Sequence, residues 1–258
     1  MFSRIASYLK FFLKSKNHHG VHSPFVFNLV TKCLYDKKNL PEFSTLEKYR
    51  KELLSNEEKI HVTDFGAGSK VFSSHIRQIS KIAHYAGISK KRAELLLRLT
   101  QYFQPKNILE LGTSLGIATS ALSLGKPNST ITTFEGCKET LNIAKEMFEK
   151  YELKNIRALE GDFQQTYFSE VQKSVFDLIY FDGNHTKEAT LSYFEACLSS
   201  IHNDTVLIFD DIHWSKSMEE AWEEIKGHEK VTVTIDTYQW GLVFFRREQE
   251  KEHFIIRV

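Results

Sequence analysis

Six carboxylates follow or close apolar runs in this chain: Glu110, Glu135, Asp162, Asp182, Asp210 and Asp211. The first lies in Asn107-Ile-Leu-Glu-Leu-Gly-Thr-Ser-Leu-Gly116, where an apolar strand runs into Gly112 and a helix begins at Ile117. A turn of this kind lets a ligand approach bare backbone, with the N–H groups of the helix start facing it. Gly112, Thr113, Ser114 and Gly116 are therefore candidate ligand contacts. The acid at Glu110 would repel a pyrophosphate and welcome a cation. Thr113-Ser114 also stands where a dinucleotide site needs its second glycine.

A second constellation combines Asp182-Gly-Asn-His185 with Asp210-Asp211-Ile-His213-Trp214. Three carboxylates at one rim repel one another unless a cation or protons neutralise them, and Mg²⁺ is held through carboxylates, waters and substrate oxygens. An ion on Asp182, Asp210 and Asp211 would acidify a hydroxyl acceptor. Without it, Asp182 or His185 could take the proton as general base. His213 reads more simply as a packing or supporting histidine, and Trp214 as a wall.

The elements that must position these groups alternate from Asn107 onward. Strands are expected at 108–111, 131–134, 155–159, 175–181, 205–209, 231–235 and 242–245. Helices are expected at 138–151, 187–200 and 216–226. This pattern implies an α/β fold, a Rossmann-like and mainly parallel sheet of about seven strands with helices on both faces and its last strand antiparallel. In such a sheet ligands lie beyond the carboxyl ends of the strands, where Gly112, Glu135, Asp162 and Asp182 would gather. Residues 101–258 are expected to form this domain. Residues 1–100 are expected to be a helical N-terminal region serving as a lid or as a surface for substrate or partner.

Over residues 107 to about 246 the chain resembles the class I S-adenosylmethionine-dependent methyltransferases. Glu110-Leu-Gly112-Thr-Ser-Leu-Gly116 looks like their first motif, and Glu135 stands where the family uses an acid for the ribose hydroxyls. Glu160-Gly161-Asp162 looks like the segment whose acid meets the adenine amino group. The resemblance implies a cofactor held by Glu110, Gly112, Thr113, Ser114, Gly116, Glu135, Gly161, Asp162 and Asp182. It further implies methylation of an oxygen of a small-molecule acceptor, with Asp182 and His185 catalytic. The Asp followed by an Asp-Asp pair resembles metal-dependent O-methyltransferases, although catechol-type relatives have Asp-Asn where Asp210-Asp211 stands. Asp182-Gly-Asn-His185 lacks the prolines typical of enzymes that methylate amino nitrogens of bases or glutamine.

Composition narrows the alternatives. The chain has 258 residues, 41% hydrophobic and 26% charged, with a formal net charge of +1, which gives nucleic acid no global field to follow. Three cysteines without Cys-x-x-Cys spacing (Cys33, Cys137, Cys197) fit a reduced, cytoplasmic protein, and no apolar run is long enough to span a membrane. Phe2, Ile5, Leu9, Phe12 and Leu13 share one helical face among Arg4, Lys10, Lys14 and Lys16. That helix is expected to dock on its own domain or on a partner subunit, as in a homodimer, with weak contact to a membrane surface as the other reading. Asp64-Phe-Gly66-Ala-Gly68 is a second glycine turn, expected as a loop over the site or a structural turn. His18, His19 and His22 lack a metal-ligand pattern and are assigned to a substrate lid or to packing. The rival functions are a nicotinamide-dependent oxidoreductase, a non-catalytic cofactor-binding scaffold and a nucleic-acid methyltransferase.

Overall fold

A computed structural model describes residues 2–63, 74–161 and 163–258. Asp162 and the turn Asp64–Gly68 lie outside the described residues.

The N-terminal region carries α1 (Phe2–Lys14), α2 (Pro24–Leu29), α3 (Glu42–Ser55), α4 (Ile79–Tyr85) and α5 (Lys90–Phe103), with a small antiparallel ladder between β1 (Lys59–His61) and β2 (Ile76–Gln78). Sequence sets the helix starts: Ser23 caps α2 by accepting from the Val26 amide, and Ser89 caps α5 by accepting from that of Arg92.

Strand and helix then alternate through β3 (Asn107–Leu111), α6 (Ile117–Gly125), β4 (Thr130–Glu135), α7 (Lys138–Lys150), β5 (Ile156–Glu160), α8 (Phe163–Val171), β6 (Leu178–Phe181), α9 (Lys187–Cys197), β7 (Val206–Asp210) and α10 (Lys216–Gly227). The chain closes with β8 (Val233–Asp236), β9 (Trp240–Phe244) and β10 (Glu252–Ile255). The fold is α/β, mainly parallel and Rossmann-like. One strand exceeds the expected seven: β10, which pairs parallel with β8. The antiparallel strand is β9, flanked by β7 and β8 in opposite sense.

Two compact units divide the chain, one of residues 36–169 and one of residues 1–35 with 170–258. In the first, β3, β4 and β5 run parallel in that order, with Glu110 opposite Thr133 and Glu135 opposite Glu160. Helix α6 is buried along almost its whole length and packs on α5 and α3.

In the second unit β6, β7, β9, β8 and β10 follow one another, and β6 through β9 are buried throughout. A continuous apolar run such as Leu178–Phe181 is what a strand covered on both faces requires. Trp222 of α10 lies so close to Gly241 that a Cβ there would fall 2.6 Å from its ring, so only glycine lets the helix seat on β9. Among the described residues no helix is long and apolar enough to cross a membrane.

Candidate active site

In the unit of residues 36–169, β3 ends in a turn with three positive φ angles: Gly112 at 101°, Ser114 at 48° and Gly116 at 77°. The left-handed region costs a side-chain-bearing residue strain, so glycine at two of the three positions keeps the turn affordable. Phe134 O accepts both the Gly112 and the Thr113 amides at 3.0 Å, which fastens the turn to the end of β4.

Glu110 is fully buried beneath this turn. Its Oε2 accepts the hydroxyls of Thr119 at 2.5 Å and Thr133 at 2.6 Å, while Oε1 has no partner among the described residues. Burial pushes the Glu110 carboxyl up to about 7; the two threonine bonds pull it down and the charge of Glu135 adds to the rise. An orphaned oxygen on a buried, half-ionised carboxyl is costly, and a cationic group placed there would remove the cost. The position thus fits the ammonium end of S-adenosylmethionine.

Glu135 closes β4 and accepts the amides of Ser114 at 2.8 Å and Cys137 at 2.9 Å, one on each oxygen. It joins the glycine turn to the start of α7. Gly161 donates its amide to Glu135 O at 3.1 Å, which brings the start of the adenine-side segment to the same strand end.

The side of Gly116 where a Cβ would stand is closed by protein. A Cβ there would lie 2.4 Å from Phe148 Cε1 and 2.6 Å from the Tyr49 hydroxyl, so α7 and α3 fill that side. Tyr49, which sequence reasoning missed, is buried and donates its hydroxyl to Leu115 O at 2.9 Å. It holds the helix end of the turn from 66 residues away in sequence.

In the unit of residues 1–35 and 170–258, the ends of β6 and β7 are registered by the stacked rings of Phe181 and Phe209, 4.4 Å apart and within 2° of parallel. Asp182 and Asp210 meet at one phenol: the Tyr180 hydroxyl is 3.3 Å from Asp182 Oδ2 and 3.2 Å from Asp210 Oδ2. Tyr180 is the second residue sequence reasoning missed. Asp210 is buried, and its Oδ1 accepts the Asp211 amide at 2.7 Å. His185 Nε2 stands 3.6 Å from Asp182 Oδ1, beyond hydrogen-bond length and within ion-pair reach only when the ring is protonated.

The structure gives no support for the expected divalent ion on Asp182, Asp210 and Asp211. Among the described residues no three His, Cys, Asp or Glu side chains are grouped so as to hold a metal. Asp210 spends its oxygens on the Asp211 amide and the Tyr180 phenol. Asp211, at φ 53°, enters the cluster through its backbone. His213 is a supporting residue, as expected: Nδ1 is 3.0 Å from Glu219, Nε2 is 2.9 Å from Asp236, and the ring stacks on Tyr238 at 5.1 Å. Burial alone would lower its pKa, but the two carboxylates outweigh burial and raise it.

Comparison with known proteins gives one fold and a partial sequence match. Residues 109–212 match a family model described as a methyltransferase domain. The structure is similar to the S-adenosylhomocysteine-bound methyltransferase PaMTH1 of Podospora anserina, with a TM-score of 0.63 and 14% identity over 88% of this chain and 97% of the other. It is also similar to TomG of Streptomyces achromogenes, an O-methyltransferase of tomaymycin synthesis in complex with S-adenosylmethionine. Here the TM-score is 0.57 and the identity 15%, over 81% and 91% of the two chains. An O-methyltransferase of Bacillus cereus with S-adenosylhomocysteine matches at 0.55 and 18% identity, over 85% and 96%. Residues 109–212 are thus similar in sequence to a methyltransferase domain, and the fold is that of class I S-adenosylmethionine-dependent methyltransferases.

Proposed function

We propose that the protein methylates an oxygen of a small-molecule acceptor. The observation that carries the cofactor half of this reading is Oε1 of the fully buried Glu110 beneath the glycine turn, unpartnered among the described residues. Glu110 would take the ammonium group, Glu135 the ribose hydroxyls, and the amides after Gly112 the carboxylate. Asp162 is assigned to the adenine amino group on the family motif alone. When bound, S-adenosylmethionine supplies a methyl group on a positively charged sulfur.

The chain's own part in the reaction is to align the acceptor and remove its proton. Asp182 stands beside the His185 imidazole, and the pair accepts the acceptor's hydroxyl proton. Tyr180 holds Asp182 in place by tying it to the buried Asp210. Alignment of this kind supplies roughly 7–11 kcal/mol in well-oriented systems. No step is assigned to a metal. A small acceptor is favoured over nucleic acid by the net charge of +1. A cytoplasmic setting is supported by three buried cysteines without Cys-x-x-Cys spacing.

Calorimetry with S-adenosylmethionine, followed by a screen of hydroxylated acceptors with Asp182→Asn and His185→Gln as controls, tests the reading. Binding with turnover on a hydroxyl acceptor, lost in both variants, is expected. Turnover only on amines or nucleic acid would refute it.

A further inference from the structure

Helix α1 has two faces with opposite fates. Its inward side docks on its own unit: Phe11 is buried and packs 5.4 Å from Tyr238, Tyr8 meets Tyr238 edge-on at 4.9 Å, and Ser7 donates to Glu219. Among the described residues, its outward side stays largely exposed. Ile5 is 56% exposed, Leu9 55%, Phe12 42% and Leu13 84%. At spacings of three, four and eight these four form one stripe along the helix. Single exposed apolar side chains are ordinary, but a contiguous stripe marks a surface that meets something apolar.

Charge identifies what that is. The first 35 residues carry Arg4, Lys10, Lys14, Lys16 and Lys32 and no acid, so against a whole-chain net charge of +1 the remaining 223 residues carry −4. Lys10, Lys14 and Lys16 are exposed around the stripe, and the exposed Arg257 guanidinium lies 4.2 Å over the Phe12 ring. A second copy of the chain would bring the same cations face to face across a two-fold contact. An anionic lipid surface satisfies stripe and cations together. At 13 residues α1 is too short to span a bilayer and suited to lie in its interface.

We propose that α1 docks this protein on an anionic membrane surface, with Ile5, Leu9, Phe12 and Leu13 in the acyl–headgroup boundary and the cations on the headgroups. The test is co-sedimentation of the full chain with phosphatidylcholine vesicles with and without phosphatidylserine. Binding is expected only with phosphatidylserine and should fall as salt rises. Leu9→Glu/Leu13→Glu, both exposed positions, should abolish it while leaving the unfolding midpoint and S-adenosylmethionine binding unchanged. Lys10→Gln/Lys14→Gln should weaken it about 25-fold, roughly fivefold per cation. No sedimentation with either vesicle, or equal binding to both, would overturn the proposal. So would a concentration-dependent dimer that Leu9→Glu/Leu13→Glu makes monomeric without any vesicle binding.

Discussion

The amide of Ser114 donates to the Glu135 carboxylate at 2.8 Å, so the acid that closes β4 clamps the turn that closes β3. Its other oxygen holds the Cys137 amide at 2.9 Å. A residue whose position implies ribose binding therefore also builds the surface on which the cofactor would lie. Glu135→Ala leaves two amides without their acceptor and should cost about 1–3 kcal/mol of stability. Urea denaturation measures that loss, and calorimetry should show S-adenosylmethionine affinity falling at least tenfold. An unchanged affinity would confine Glu135 to the clamp.

Tyr180→Phe removes the hydroxyl shared by Asp182 and Asp210 and leaves the ring's packing intact. Asp210 is buried, so loss of its partner should lower stability by about 1–3 kcal/mol and lower turnover at least tenfold. Cofactor affinity, read by calorimetry, should stay within about twofold, because the groups proposed to hold it lie at the ends of β3, β4 and β5. A matching loss of affinity would tie Tyr180 to the cofactor instead.

Gly116→Ala tests whether this glycine serves packing. The new Cβ would sit 2.4 Å from Phe148 Cε1 in a residue at φ 77°. Overpacking and left-handed strain together should destabilise the protein by roughly 2–5 kcal/mol. Gly116→Ala with Phe148→Leu should recover part of the loss; no recovery would place the strain in the backbone or against the Tyr49 hydroxyl.

Glu110 gives stability a pH dependence of definite sign. Its folded pKa of about 7 lies above its ordinary value of 4.5, so the folded state keeps a proton that the unfolded chain has released. Stability from this group is complete below about pH 4.5 and is lost as pH rises to about 7, by at most about 3 kcal/mol. Denaturant titrations across that window should show the decline in the cofactor-free protein, and Glu110→Gln should remove this component. His213, also raised, adds a decline above its ordinary 6.5 that Glu110→Gln would leave in place.

What sequence could and could not reveal divides by distance along the chain. The turn from Gly112 to Gly116 and the acids Glu110 and Glu135 were legible because strand, turn and helix are local grammar. The run Leu178–Phe181 was legible as a buried strand, but Tyr180 within it read as one more core residue. Only the register of β6 beside β7 puts its hydroxyl between two aspartates. Tyr49 was invisible for the same reason, since its bond to Leu115 O crosses 66 residues. At Gly116 a glycine motif does not say which neighbour needs the missing Cβ. The last strand, β10, escaped because Glu252-His-Phe-Ile255 is short and half polar and becomes a strand by pairing with β8. Spacing alone also could not reveal that Asp210 accepts an amide and a phenol in the fold.

Titration calorimetry with S-adenosylmethionine in two buffers of different ionisation enthalpy bears most directly on the assignment of Glu110 to a cationic ligand. Below about pH 7 binding should release a proton, tighten as pH rises, and lose both features with at least a tenfold weaker Kd in Glu110→Gln. No binding, or binding by Glu110→Gln as tight and as pH-dependent as that of the wild type, would contradict the account.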